Sequence, residues 1–174
     1  FSASSFPYAR TADDICSFSL PPEEEWERFS TAHRQAVLEL AQLYDQAVQM
    51  VGEKLATIFA IHAMLLDDQD YQDTVYSMIF SCGCTAEHAS KTAMDHLVSL
   101  FEQMDTYMQA RASDVRAISD RMLRILTGRG TVPPVSFSPS ILVSTEFAPS
   151  QIITLDRSCI LGFIAMRGSV QSHA

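Results

Sequence analysis

Between Pro22 and Pro133 the chain contains no proline. A helix interior rejects proline, because the ring removes a backbone donor and collides with the preceding turn. Apolar residues in this proline-free stretch recur in steps of three and four rather than two, the period of helices that each bury one face. The stretch therefore reads as a bundle of antiparallel helices.

Its punctuation predicts where the helices begin and end. Pro22 suits a first turn, and Glu23, Glu24, Glu25 and Glu27 favour the positive end of a helix dipole. From there Trp26, Phe29, Ala36, Val37, Leu40, Tyr44, Val48 and Val51 are expected to form one buried face up to a stop at Gly52. A second helix is expected over about 53–66 and a third over about 70–81, separated by the polar break Asp67-Asp68-Gln69. Thr85 offers an N-cap to a fourth, with Ala89, Ala93, Leu97, Leu100, Phe101 and Met104 on its inner side. A fifth carries Val115, Ile118, Met122 and Ile125 up to a C-terminal cap at Gly128.

The flanks differ. Residues 1–21 are Ser-rich and irregular, and a Pro/Ser linker with Pro133, Pro134 and Pro139 follows Gly130. Beyond it two β-branched runs, 141–145 and 160–165, have strand character. The expected layout is an amino-terminal segment (1–21), a helical domain (22–128) and an α/β piece (129–174). The first residue is Phe1 rather than Met, so the sequence is expected to be a piece of a longer protein.

Charge is unevenly placed. The net charge is −9, and residues 129–174 carry three arginines against Glu146 and Asp156, leaving −10 on residues 1–128. So acidic a surface disfavours nucleic acid, whose phosphates demand Lys and Arg, and fits a basic protein partner. No run approaches the length of a membrane span, and no signal peptide is evident. Four cysteines, with Cys82 and Cys84 one residue apart, make neither a disulfide scaffold nor a zinc set, so no metal site is expected.

The carboxy-terminal stretch carries a specific pattern. Ile141-Leu142-Val143 is followed by Ala148-Pro149-Ser150-Gln151, then by Leu155-Asp156, then by Ile160-Leu161-Gly162-Phe163-Ile164, and finally by Gly168-Ser169-Val170-Gln171-Ser172-His173. Together these pieces resemble the phosphohistidine domain of phosphoenolpyruvate-utilising enzymes. Within the helical part, Ile58-Phe59-Ala60-Ile61-His62-Ala63-Met64-Leu65-Leu66-Asp67-Asp68 and Arg111-Ala112-Ser113-Asp114-Val115-Arg116 resemble enzyme I of the bacterial phosphotransferase system. The resemblance covers about residues 22–174.

It implies a mainly α fold: an antiparallel helical bundle of the HPr-binding type inserted in a partial α/β phosphohistidine (swivelling) domain. It implies that His173 accepts a phosphoryl group from phosphoenolpyruvate and passes it to the carrier HPr, the first step of sugar uptake. Gly168, Ser169 and Ser172 would form the phosphate turn, with Ser169, Val170 and Gln171 replacing the family's frequent Gly-Arg-Thr and Ile152 standing at a common Thr position. Ile58, His62, Met64, Leu65, Asp68, Asp70, Tyr71, Arg111 and Arg116 match the family's docking residues, while Lys54 stands at an often acidic position. His33, His88 and His96 fall outside the motifs and read as ordinary helix residues. No cofactor is expected in this stretch; Mg²⁺ and phosphoenolpyruvate would bind in a further, carboxy-terminal domain of a cytoplasmic, homodimeric parent. Two alternatives stand beside this one: an enzyme I-like protein feeding a nitrogen-regulatory or dihydroxyacetone kinase branch, and a non-catalytic helical interaction module.

Overall fold

The computed structural model of the protein describes residues 20–129, 139–144, 152–153 and 159–166. Five helices occupy the first of these ranges: α1 (Pro22–Val51), α2 (Glu53–Leu66), α3 (Gln69–Cys82), α4 (Ala86–Glu102) and α5 (Thr106–Leu126). Each boundary has a local cause. Pro22 opens α1 with Glu23, Glu24 and Glu25 in its first turn. Gly52, at φ 89°, separates α1 from α2 in backbone space that an L side chain rarely enters. The Asp68, Thr85 and Asp105 side chains accept the amide hydrogens of Tyr71, His88 and Met108, capping α3, α4 and α5.

The helices form four columns, because α2 and α3 share one. His33 of α1 meets Leu66 at the end of α2, Phe29 meets the Tyr71 ring and Trp26 the Tyr76 ring of α3. Numbering thus falls along α1 as it rises through α2 and α3, so the pair runs antiparallel to α1 as a single arm bent at Asp67-Asp68. From the base α4 returns alongside α1, its Ala86 amide donating to Glu25 Oε2 at 3.0 Å. Finally α5 descends again, with Arg121 and Arg124 reaching Glu39 of α1 at 2.6 and 2.5 Å.

The core lies between the columns. Phe29, Leu40, Phe59, Leu66, Val75, Ile79, Met94, Ile118 and Met122 are fully or almost fully buried, and each such side chain contributes about 1.5–3 kcal/mol of hydrophobic stabilisation. Tyr71 is buried with them, its hydroxyl 2.8 Å from Ser90 Oγ. Burial pushes that phenol up to about 12, with the Ser90 hydrogen bond opposing the shift.

Two details of the helix faces differ from the periodicity reading. On α1 the innermost stripe is Glu25, Phe29, Ala32, Ala36, Leu40, Leu43 and Ala47. Trp26, Val37, Tyr44 and Val48 are half-buried flanks of it, and Val51, at the turn, is exposed. On α4 the inner side is Ala86, Ala89, Ser90, Ala93, Met94 and Val98. Leu100, in the last turn, and Met104, in the connection to α5, are exposed. In both helices the apolar pattern continues past the length that neighbouring helices cover.

The α/β residues contribute a two-stranded sheet, β1 (Ser140–Ser144) and β2 (Ile160–Ala165), paired in parallel with one irregularity between Ser140 and Ile141. Parallel pairing requires a crossover connection between the strands, and the helical residue Ile153 between them packs against the helical core.

Candidate partner-docking face

The bend between α2 and α3 gathers most of the motif residues. Leu66 ends α2 with carbonyls that have no further turn to bond. His33 of α1 meets one of them, its Nε2 lying 2.9 Å from the Leu66 carbonyl and 3.4 Å from Asp67 Oδ1. Across the bend Asp68 starts α3, its Oδ1 accepting the Tyr71 amide at 3.1 Å. Asp67, Asp68 and Asp70 are all exposed.

Met64 points outward from the last turn of α2 and is 72% exposed. Leu65 is half-buried against the core. Ile58 and Tyr71 are buried, so they support the face from beneath and present no area to a partner.

His62 lies behind this surface, on the inner side of α2, and is only 5% exposed. Its Nε2 is 3.7 Å from Asp114 Oδ1 on α5, too far for a hydrogen bond, and it is a buried side-chain polar atom with no hydrogen-bond partner. Arg111, three residues before Asp114, donates to Asp114 Oδ2 at 3.1 Å. Burial works to raise the Asp114 carboxyl, but His62 and Arg111 outweigh it and hold the group below the usual carboxylate range. Further along α5, Arg116 is exposed and ion-paired with Glu102 of α4.

The bend thus brings together an exposed methionine and three exposed carboxylates, with a buried His62 and the half-buried Asp114 and Arg111 of α5 behind them. Lys54 is exposed in the first turn of α2, ten residues before Met64 in the chain. His88 and His96 lie on α4, half-buried and exposed respectively. His173, Gly168, Ser169 and Ser172 lie outside the described residues. Of the positions discussed with them, Ile152 is described, as a half-buried helical residue. Among the described residues no three or more His, Cys, Asp or Glu are grouped so as to hold a metal ion, and no described helix is long and apolar enough to cross a membrane.

Sequence reasoning missed three residues of structural consequence. Glu25 reads as a dipole-favouring surface acid, yet it is 1% exposed; its place on the stripe 25-29-32-36-40 was the available signal. Asp114 stood inside a motif without a role. His33, read as an ordinary helix residue, is the cross-helix partner of the α2 end, and no spacing within its own helix announces that.

A model of the family described as "PEP-utilising enzyme, N-terminal" matches residues 7–111. The chain belongs to that family. Among curated members of the PEP-utilising group, the phosphoenolpyruvate-protein phosphotransferase of Haloferax volcanii is 34% identical over 84% of this chain. The enzyme of the same name from Bacillus subtilis is 31% identical over 87% of it. The chain spans about a quarter of the length of these relatives, 26% and 27% respectively. Two solved structures agree with the fold. An NMR solution structure of Enzyme I superposes with a TM-score of 0.70 at 26% identity, covering 82% of this chain and 58% of that one. The N-terminal domain of Enzyme 1 - Nitrogen gives 0.67 at 26%, covering 89% and 64%. The mainly helical architecture is therefore that of Enzyme I amino-terminal domains.

Proposed function

We propose that this chain is the carrier-docking and phosphohistidine-bearing part of a phosphoenolpyruvate-protein phosphotransferase. An imidazole nitrogen of His173 attacks the phosphorus of phosphoenolpyruvate, the bond to the enol oxygen breaks, and the enolate takes a proton to leave as pyruvate. The phosphoryl group then passes from that nitrogen to a histidine of HPr. Phosphoryl transfer needs in-line positioning more than covalent help from the protein, and a histidine relay preserves the transfer potential between carriers. Gly168, Ser169 and Ser172 would, in this reading, supply the phosphate turn that the sequence motif implies. In this reading phosphoenolpyruvate and Mg²⁺ bind to the remainder of a cytoplasmic, homodimeric parent. The helical bundle is inserted in the phosphohistidine domain, whose parts are residues 1–21 and 129–174.

The observation that carries the docking half is Met64, an exposed apolar side chain beside the carboxylates of Asp67, Asp68 and Asp70. An apolar anchor with an acidic rim pairs burial with steering of a basic partner. Arg111 and Arg116 are already engaged by Asp114 and Glu102, which leaves the face net acidic. Titrating HPr against the chain, with backbone amides followed by NMR, is expected to shift residues 58–71 and 111–116; shifts confined elsewhere would refute this docking face. In the full-length enzyme, labelled phosphoenolpyruvate is expected to leave an acid-labile label that His173→Ala abolishes. The similarity to the domain of Enzyme 1 - Nitrogen keeps a second carrier in play, and competition between HPr and a nitrogen-branch carrier for the same amides separates the two.

A further inference from the structure

The bend that carries the docking residues is held from behind by two histidines on different helices, each facing a carboxylate. His33 of α1 has Nε2 2.9 Å from the Leu66 carbonyl and 3.4 Å from Asp67 Oδ1. His62 of α2 has its unpartnered Nε2 3.7 Å from Asp114 Oδ1. One grips the last carbonyl of α2; the other sits one turn earlier and faces α5. Met64 lies between His62 and Leu66 in the chain. We infer that His33 and His62 are positioning residues forming a proton-sensitive clamp on the α2–α3 bend, tightening the docking face when protonated. The inference rests on the docking reading only for its effect on a carrier; the clamp belongs to the free protein.

The physical basis is the same at both rings. A neutral imidazole can donate from one nitrogen only, while an imidazolium donates from both and carries charge. At His33 the added charge lies against a helix C-terminus, whose dipole favours cations, and beside Asp67. At His62 it converts an orphaned buried nitrogen into a donor aimed at a carboxylate, drawing α2 toward α5. The facing groups can be named helix by helix. On α5 they are Asp114 and Arg111, bonded to each other. From α1, Leu40, Leu43 and Ala47 face inward, and from α4, Met94 and Val98, all apolar. At the start of α3, Tyr71 is buried and neutral, while Asp68 and Asp70 face solvent.

The test uses the chain with and without HPr between about pH 8 and pH 5, a span that brackets the ordinary imidazole range. Long-range ¹H–¹⁵N spectra follow the two rings, and hydrogen-exchange protection factors follow the Leu66 and Asp67 amides. Protection is expected to rise about three- to tenfold as the rings protonate, the scale of one helix-terminal charge. His33 is half-buried and His33→Gln keeps a donor; combined with Asp114→Asn it is expected to flatten the pH response, read as the ratio of protection at about pH 5 to protection at about pH 8 within the same variant. Protection that does not change with ring protonation, or an unchanged response in the double variant, overturns the clamp. If protection responds but HPr affinity does not, the link from clamp to docking is overturned. Failure of HPr to bind at any pH, with the protection response intact, refutes the docking reading and leaves the clamp standing.

Discussion

Two polar clusters are built into the same bundle and are finished to different degrees. At the base Glu25 is fully engaged: Oε1 accepts the Leu20 amide at 3.0 Å, and Oε2 accepts from the Ala86 amide at 3.0 Å and from Arg28 at 2.6 Å. Arg28 continues to Glu87 of α4 and to the Leu126 carbonyl at the end of α5, so one carboxylate and one guanidinium tie three helices at the point where the chain enters and leaves the bundle. At the bend His62 and Asp114 stop short of each other at 3.7 Å, with a buried nitrogen left over. Burying a charge is tolerable only when it is paired and hydrogen-bonded. A saturated cluster therefore fixes geometry, whereas an unsaturated one leaves a second arrangement within reach. The first belongs to the scaffold and the second lies behind the proposed docking face.

That contrast can be broken by measurement. The largest effect is expected at the base: Glu25→Ala leaves the Leu20 and Ala86 amides without their acceptor, at about 1–3 kcal/mol for each buried group, while Arg28 keeps Glu87 and the Leu126 carbonyl. Urea unfolding reads it directly, and a loss below about 1 kcal/mol would reduce Glu25 to a surface residue in energetic terms. Next comes Tyr71→Phe, which removes the Ser90 hydrogen bond beneath the bend; about 1–2 kcal/mol is expected in the same assay. Smaller again is the acid limb. Asp114 and Glu39 both sit below the usual carboxylate range: burial works to raise each, but it is outweighed at Asp114 by the nearby His62 and the Arg111 ion pair, and at Glu39 by the contacts with Arg124, Gln35 and Arg121. The unfolded chain therefore takes up these protons first as pH falls. The stability they supply is complete above the unfolded value near pH 4 and is lost as pH drops through the folded one. A melting-temperature series from about pH 6 to pH 3 should decline, and less steeply in Asp114→Asn. The smallest change in stability is predicted for Met64→Ala, within about 0.5 kcal/mol, together with clearly weaker HPr binding in a calorimetric titration. A large stability loss there would mean that Met64 packs in solution.

The sequence made the helices legible because their signals are local: Pro22, Gly52, Asp68, Thr85 and Gly128 mark boundaries within a residue or two of where the structure puts them. The inward faces were read less well. On α1 the assigned stripe caught Phe29, Ala36 and Leu40 but drifted onto the flanks at Trp26, Val37, Tyr44 and Val48, because aromatic and β-branched residues outweigh small ones such as Ala32 and Ala47 that let helices approach closely. The motif around Met64 marked residues that the structure places at one bend. The support of that bend was not legible, since His33–Leu66 and His62–Asp114 join residues far apart in the chain, and no single-helix pattern encodes them.

The bent second column has a consequence for how length changes would be absorbed. The register of α2 is set from above by the turn at Gly52, and that of α3 from beside by the Tyr71–Ser90 bond. Asp67 and Asp68 separate the two hydrogen-bond ladders. A residue inserted between them would leave both halves indexed to their own neighbours and lengthen only the exposed corner. One inserted in the middle of α1 would rotate everything beyond it by a hundred degrees or so and misalign both partners at once. The corner is thus where this arm can gain or lose a residue without disturbing the packing on either side.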